Sequence, residues 1–144
     1  MLRSPSRLPL TDVVFSPDGR LLLTTRLGIK NNVETWDAKT GKLEREMVGV
    51  FGSVSTGAFS PDGRWIVTAG PISGALWKTG ADHPYVFLRG GAAKLQVLTA
   101  VAFSPDGKLV LSASEDGTVG LYRCEICGNL KQLIAVAEQR LATR

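Results

Sequence analysis

At 144 residues the chain is long enough for one domain with its own core, and an apolar content of 44% excludes wholesale disorder. Seventeen basic residues against thirteen acidic ones leave a net charge of +4, scattered along the chain with no basic stripe of the kind a nucleic-acid surface needs. No apolar run approaches the ~18–20 residues of a membrane helix, and the first ten residues, with two prolines and two arginines, have no apolar stretch for a secretory signal. The expectation is a cytoplasmic protein.

Taken in order, residues 1–10 come first as a short segment. It could supply a closing strand elsewhere, although Pro5 and Pro9 weaken ladder pairing. From Thr11 an apolar run leads to Phe15, followed by the turn string Ser16, Pro17, Asp18, Gly19. The string Phe-Ser-Pro-Asp-Gly then recurs at residues 59–63 and 103–107, both times after 44 residues. Such a fixed stride marks a structural repeat. Within each turn, proline (Pro17, Pro61, Pro105) fixes φ and aspartate (Asp18, Asp62, Asp106) can accept bonds from nearby amides. Glycine (Gly19, Gly63, Gly107) then supplies the positive φ of a tight hairpin. A basic residue and an aliphatic strand follow each time, at residues 21–25, 65–69 and 109–113, and a third strand ends at Trp36, Trp77 and Tyr122. Fourth strands fit residues 43–47 and 85–88. No fourth strand follows Tyr122 and Arg123, so eleven are expected. The runs are apolar on both faces, which suits sheets covered on both sides. Small residues in the first strands (Gly57, Ala58, Ala100, Ala102) suit a crowded inner position.

These units resemble WD repeats, over roughly residues 11–123. The resemblance implies an all-β fold: three four-stranded antiparallel propeller blades at residues 11–55, 56–99 and 100–123, the last with three strands. A turn and short C-terminal α-helix would occupy residues 124–144. In the family an aspartate at the position of Asp116 caps the turn between second and third strands, and often joins a His, a Ser or Thr and the Trp in a hydrogen-bonded tetrad. Here only Trp36 is followed by Asp, and no Gly-His pair precedes a first strand, so the tetrad is expected to be absent.

The tail carries Cys124 and Cys127, then Leu130, Leu133, Ile134, Ala137 and Leu141 on one helical face, with Asn129 as cap. Two cysteines make no disulfide framework. They are weak metal candidates, because a structural zinc site needs four ligands and the one histidine, His83, lies far off in a turn. A redox role has the helix start in its favour and no thioredoxin-like βαβ pattern around it. Packing is the plainer reading. The Phe-Ser-Pro-Asp-Gly hairpin and this tail resemble bacterial WD-repeat proteins, including the C-terminal ends of STAND-class NTPases and some kinases.

No nucleophile–base pairing, phosphate loop or paired carboxylates emerge, so no catalytic residue, cofactor or metal is assigned and the chain reads as a non-enzyme. Contact with a protein or peptide is expected through the variable loops at residues 26–32, 48–55, 70–73 and 90–98. Arg26, Lys30, Phe51 and Lys94 are the exposed-looking candidates. An open arc of three sheets would expose an apolar face at each end, which a longer polypeptide or a second copy could cover, a six-bladed dimer being the simplest ring. The reading is therefore a protein-interaction scaffold or sensor. Its alternatives are a C-terminal piece of a multidomain signalling NTPase or kinase, and a self-assembling three-blade unit.

Overall fold

The computed structural model describes residues 8–30, 32–72, 74–88, 97–124 and 127. Among these the chain is all-β, with eleven strands in three antiparallel sheets. The first sheet holds β1 (Leu10–Phe15), β2 (Leu21–Arg26), β3 (Val33–Asp37) and β4 (Leu43–Met47), ordered as in the chain. The second holds β5 (Thr56–Phe59), β6 (Trp65–Ala69), β7 (Gly74–Lys78) and β8 (Val86–Leu88) in the same order. The third has β9 (Leu98–Phe103), β10 (Leu109–Ser114) and β11 (Val119–Arg123), with no further strand among the described residues.

The hairpin turns show why the same five residues recur. In the first, the Ser16 hydroxyl donates to Asp18 Oδ1 at 2.6 Å, while the amides of Arg20 and Leu21 reach Asp18 Oδ1 and Ser16 Oγ. Gly19 closes the turn with φ of 71° and donates to the Ser16 carbonyl at 2.9 Å. The second and third turns repeat this through Ser60 with Asp62 and Ser104 with Asp106, each again at 2.6 Å. Donors on all sides stabilise the ionised carboxylates. The Ser16 hydroxyl and Arg20 amide hold the Asp18 pKa below its ordinary value, and Ser104 and Lys108 do so for Asp106. At Asp62 burial pushes upward, and the combined bonds from Ser60 and Arg64 outweigh it, so the net shift is again downward.

Two apolar cores lie between the sheets. Leu23, Val33 and Met47 of the first sheet pack with Phe59, Ile66 and Trp77 of the second. From the opposite face of the second sheet, Trp65, Val67 and Leu76 pack with Val101 and Val110 of the third. The middle sheet is thus covered on both faces, as its continuous apolar runs require. Contact between sheets runs mainly through the innermost strands, β1 with β5 and β5 with β9. There a side chain has little room: a Cβ at Gly57 would lie 2.7 Å from Leu23 Cδ2. Asp12 adds a polar tie, accepting from the Thr56 hydroxyl at 2.7 Å and the Gly57 amide at 3.3 Å.

Two expectations need correction. Residues 9 and 10 do not complete the last sheet, because Leu10 pairs with Arg26 and the Pro9 carbonyl accepts from the Leu27 amide. The backbone groups of Pro9 and Leu10 are therefore committed to the first hairpin. Residues 1–7, the tail helix expected from residue 129 onward and Lys94 lie outside the described residues. Second, the expectation of no tetrad misses what remains of it. The Trp36 and Trp77 indoles donate to the hydroxyls of Thr24 and Thr68, each at 3.0 Å. The indole–hydroxyl half persists because both partners share a sheet face, and each hydroxyl accepts from its indole while donating onward, Thr24 to Glu34 at 3.4 Å and Thr68 to the Ala75 carbonyl at 3.5 Å.

Candidate interaction surface

Three loops meet at the end of the sheets opposite the Ser-Pro-Asp-Gly turns: β2 to β3, β4 to β5, and β6 to β7. They are tied by backbone bonds that cross from one to another. The Gly52 amide donates to the Ile29 carbonyl at 3.2 Å, and the Val54 amide to the Arg26 carbonyl at 3.0 Å. Asn32 joins the first two loops from beneath. Its side chain is buried, and Nδ2 donates to the carbonyls of Gly28 at 3.0 Å and Gly52 at 2.5 Å. The third loop arrives through Ile72, whose Cδ1 lies 2.6 Å from where a Cβ at Gly52 would stand; the φ of 84° is what requires glycine there, since the Ile72 methyl can swing aside.

With their backbones fixed this way, the loops hold Leu27, Ile29, Phe51 and Ile72 toward solvent. Ile29 is 77% exposed and Phe51 64%. Lys30 is exposed beside them. Four apolar groups from three separate loops, on a hydrogen-bonded frame, form a contact surface of the sort a protein partner covers. Phe51 and Lys30 of the sequence candidates stand here. Ile29, Ile72 and the supporting Asn32 were not singled out in sequence, where they read as ordinary members of variable loops.

Arg26 has a different place. It ends β2, is only 1% exposed, and pairs its guanidinium with the carboxylate of the equally buried Glu34. Burial pulls its pKa down, and the charge of Glu46 opposes that shift. Arg26 is therefore a structural residue and not a loop contact, because an arginine next to a buried carboxylate is held inside. The Thr24 hydroxyl reaches Glu34 at 3.4 Å, so the pair continues into the Trp36 bond.

The turn residues Pro17, Pro61 and Pro105 and their aspartates lie at the opposite end. Asp116 caps the β10 to β11 turn, accepting from the Thr118 amide at 2.9 Å and hydroxyl at 2.6 Å. Cys124 and Cys127 pack in the core between the second and third sheets, as the plainer reading has it, and are in addition joined as a disulfide with Cα atoms 5.2 Å apart. The two cysteines fall on one tight turn, where the Cys127 amide donates to the Cys124 carbonyl at 3.1 Å. Among the described residues no group of three or more His, Cys, Asp or Glu is placed to hold a metal ion. No helix among them is long and apolar enough to cross a membrane.

Comparison with known proteins agrees with this architecture. The family model described as WD domain, G-beta repeat, matches residues 41–73 and 88–123. Over those two stretches the chain matches WD repeats. It is 31% identical over 100 residues to Polycomb protein EED of Chaetomium thermophilum, covering 66% of this chain and 18% of the relative. To the Protein LST8 homolog of Drosophila melanogaster it is 31% identical over 113 residues, covering 74% of the chain and 36% of the relative. To the Target of rapamycin complex subunit wat1 of Schizosaccharomyces pombe it is 29% identical over 112 residues, covering 76% of the chain and 34% of the relative. The chain thus spans about a third or less of the length of these WD-repeat relatives. All three are eukaryotic proteins and lend no support to the bacterial resemblance of the hairpin string and tail.

Proposed function

We infer that this chain is a non-catalytic protein-interaction scaffold built on part of a WD-repeat propeller, and that it takes a protein or peptide on the loop end of its first two blades. The observation that carries this is the apolar group of Ile29, Phe51 and Ile72, exposed from three loops that Asn32 and the crossing backbone bonds hold together. A solvent-facing cluster on a rigid frame costs little ordering entropy when a partner covers it. One relative is by name a subunit of a complex, which fits a module whose work is contact. A partner that lays apolar side chains across the cluster, with an acidic group near Lys30, suits the surface. We place this activity in the cytoplasm.

The test is a photo-crosslinking amino acid at position 51, compared with one at position 106 on the far end, in cells expressing the chain. A discrete protein adduct at 51 that Ile29→Ser together with Ile72→Ser removes supports the reading. Equal adducts at both positions, or none at 51, reject it.

A second reading keeps the same repeats but makes them the end of a multidomain signalling NTPase or kinase. Its support is the Cys124–Cys127 turn that follows β11. The mass of the protein recovered from its source distinguishes the two.

A further inference from the structure

The disulfide after β11 is not needed to turn the chain there. In each repeat the amide just past the third strand donates to the carbonyl just before the second: Ala38 to Arg20, Thr79 to Arg64 and Cys124 to Lys108, all at 2.8 Å. The first two repeats then turn on hydrogen bonds alone, from the Gly41 amide to the Asp37 carbonyl at 2.8 Å and from the Ala81 amide to the Lys78 carbonyl at 2.9 Å. The third has such a bond too, from the Cys127 amide to the Cys124 carbonyl at 3.1 Å, and carries the Cys124–Cys127 disulfide besides. A disulfide stabilises most when it closes a long loop, and this one joins residues only three apart. It adds little as a staple. Both cysteines pack in the core between the second and third sheets, and burial alone would leave them inert. Cys124, however, also lines a groove of about 240 Å³, which Cys127 does not. Leu76, Leu88 and Val110 form the buried floor of that groove, and the exposed Tyr85 and Arg123 stand at its mouth.

We propose that Cys124 is a thiol–disulfide exchange site for small thiols of the glutathione class, reached through this groove. The attacking thiolate bonds to Cys124 Sγ and the bond to Cys127 breaks, Cys127 leaving as a thiolate that takes a proton from water. A second small thiolate attacks the first one's sulfur in this mixed disulfide and releases Cys124, which is protonated in turn. The two small thiols depart as their own disulfide, having given up the two electrons that reduce the cysteine pair. The small disulfide runs the same steps backward. Arg123 assists at the mouth, because a cation favours thiolate over thiol. The strands keep their places in both forms, since the hydrogen bonds that suffice to turn the first two repeats have counterparts in the third.

Exchange on the folded full chain tests this, with free thiols trapped by N-ethylmaleimide and counted by intact mass. The air-oxidised chain should take no adduct. Millimolar reduced glutathione without denaturant should yield two thiols, and excess oxidised glutathione should remove them, with the circular-dichroism strand signal held throughout. In Cys127→Ala the remaining Cys124 should form a mixed disulfide with oxidised glutathione about tenfold faster than Cys127 does in Cys124→Ala. The proposal is overturned by a disulfide that resists glutathione until urea is added, by cysteines that stay free in oxidised glutathione, or by a strand signal lost on reduction. A rate in Cys124→Ala that matches or exceeds the rate in Cys127→Ala overturns it as well. Should either variant lose its strand signal, the wild-type arm decides. None of these results bears on the loop-end cluster, whose crosslinking test reads other residues.

Discussion

Replacing Asn32 by alanine isolates the frame beneath the proposed contact surface. The substitution removes two donated bonds, to the carbonyls of Gly28 and Gly52, at a site sealed from water. Each such bond contributes about 1–1.5 kcal/mol net, and a carbonyl left buried costs more. Against this, Asn32 Oδ1 is itself buried without a hydrogen bond, so its removal returns part of the loss. The balance is about 2 kcal/mol of destabilisation, or roughly 4–8 °C in melting temperature for a domain of this size. Urea titration at fixed protein concentration measures it, and crosslinking at position 51 shows whether the surface goes with the frame. Asn32→Asp should be worse than alanine, since it keeps the acceptor, removes the donor and buries a charge. An Asn32→Ala protein within about 0.5 kcal/mol of wild type, the ordinary scatter of surface changes, refutes the reasoning.

Further outcomes follow from the same geometry. Thr68→Val keeps shape but strands the Trp77 indole N–H, so it should cost about 1–2 kcal/mol by urea titration, whereas Thr99→Val, at an exposed hydroxyl, should cost almost nothing. Glu34→Ala leaves Arg26 buried without its carboxylate and should cost about 3–5 kcal/mol; the double change Arg26→Met with Glu34→Leu should recover most of that. Acid should weaken the fold through the hairpin aspartates. Their folded pKa values lie below the ordinary 3.8, so the stability they add is full above that value and falls as pH drops through it into the depressed range. Urea midpoints between pH 6 and pH 2 should show this fall, with a smaller drop in a Ser60→Ala variant, whose Asp62 has lost its hydroxyl donor.

Most of the architecture could be read from sequence because the turns carry their own chemistry. Ser16, Asp18 and Gly19 close their hairpin with bonds among residues at most five apart, and no distant partner is needed. A strand pair then follows from the aliphatic runs on either side. Strand limits were harder: Tyr85 falls just outside β8, its ring set edge-on to Trp65 at 5.4 Å, a packing choice no local pattern encodes. The loop surface was half legible. Phe51 stands out as a bulky residue in a loop, but Ile29 and Ile72 join it only through bonds between separate loops. Arg26 misled because charge usually means exposure, and only the register of β2 with β3 sets it near Glu34. The hydroxyl column of Thr24, Thr68 and Ser112 was visible at the repeat stride. Its use as indole acceptor in the first two sheets depends on the register that puts Trp77 opposite Ile66, two residues from Thr68 on the same face.

All of these readings depend on three repeats stacking in one sense, like face on unlike face. Nuclear Overhauser contacts from the Trp77 ring measure this most directly. The stacking places that ring among the side chains of Leu23 and Met47 of the first sheet and apart from Leu111 of the third. Cross-peaks from Trp77 to third-sheet methyls, or to neither sheet, would contradict it.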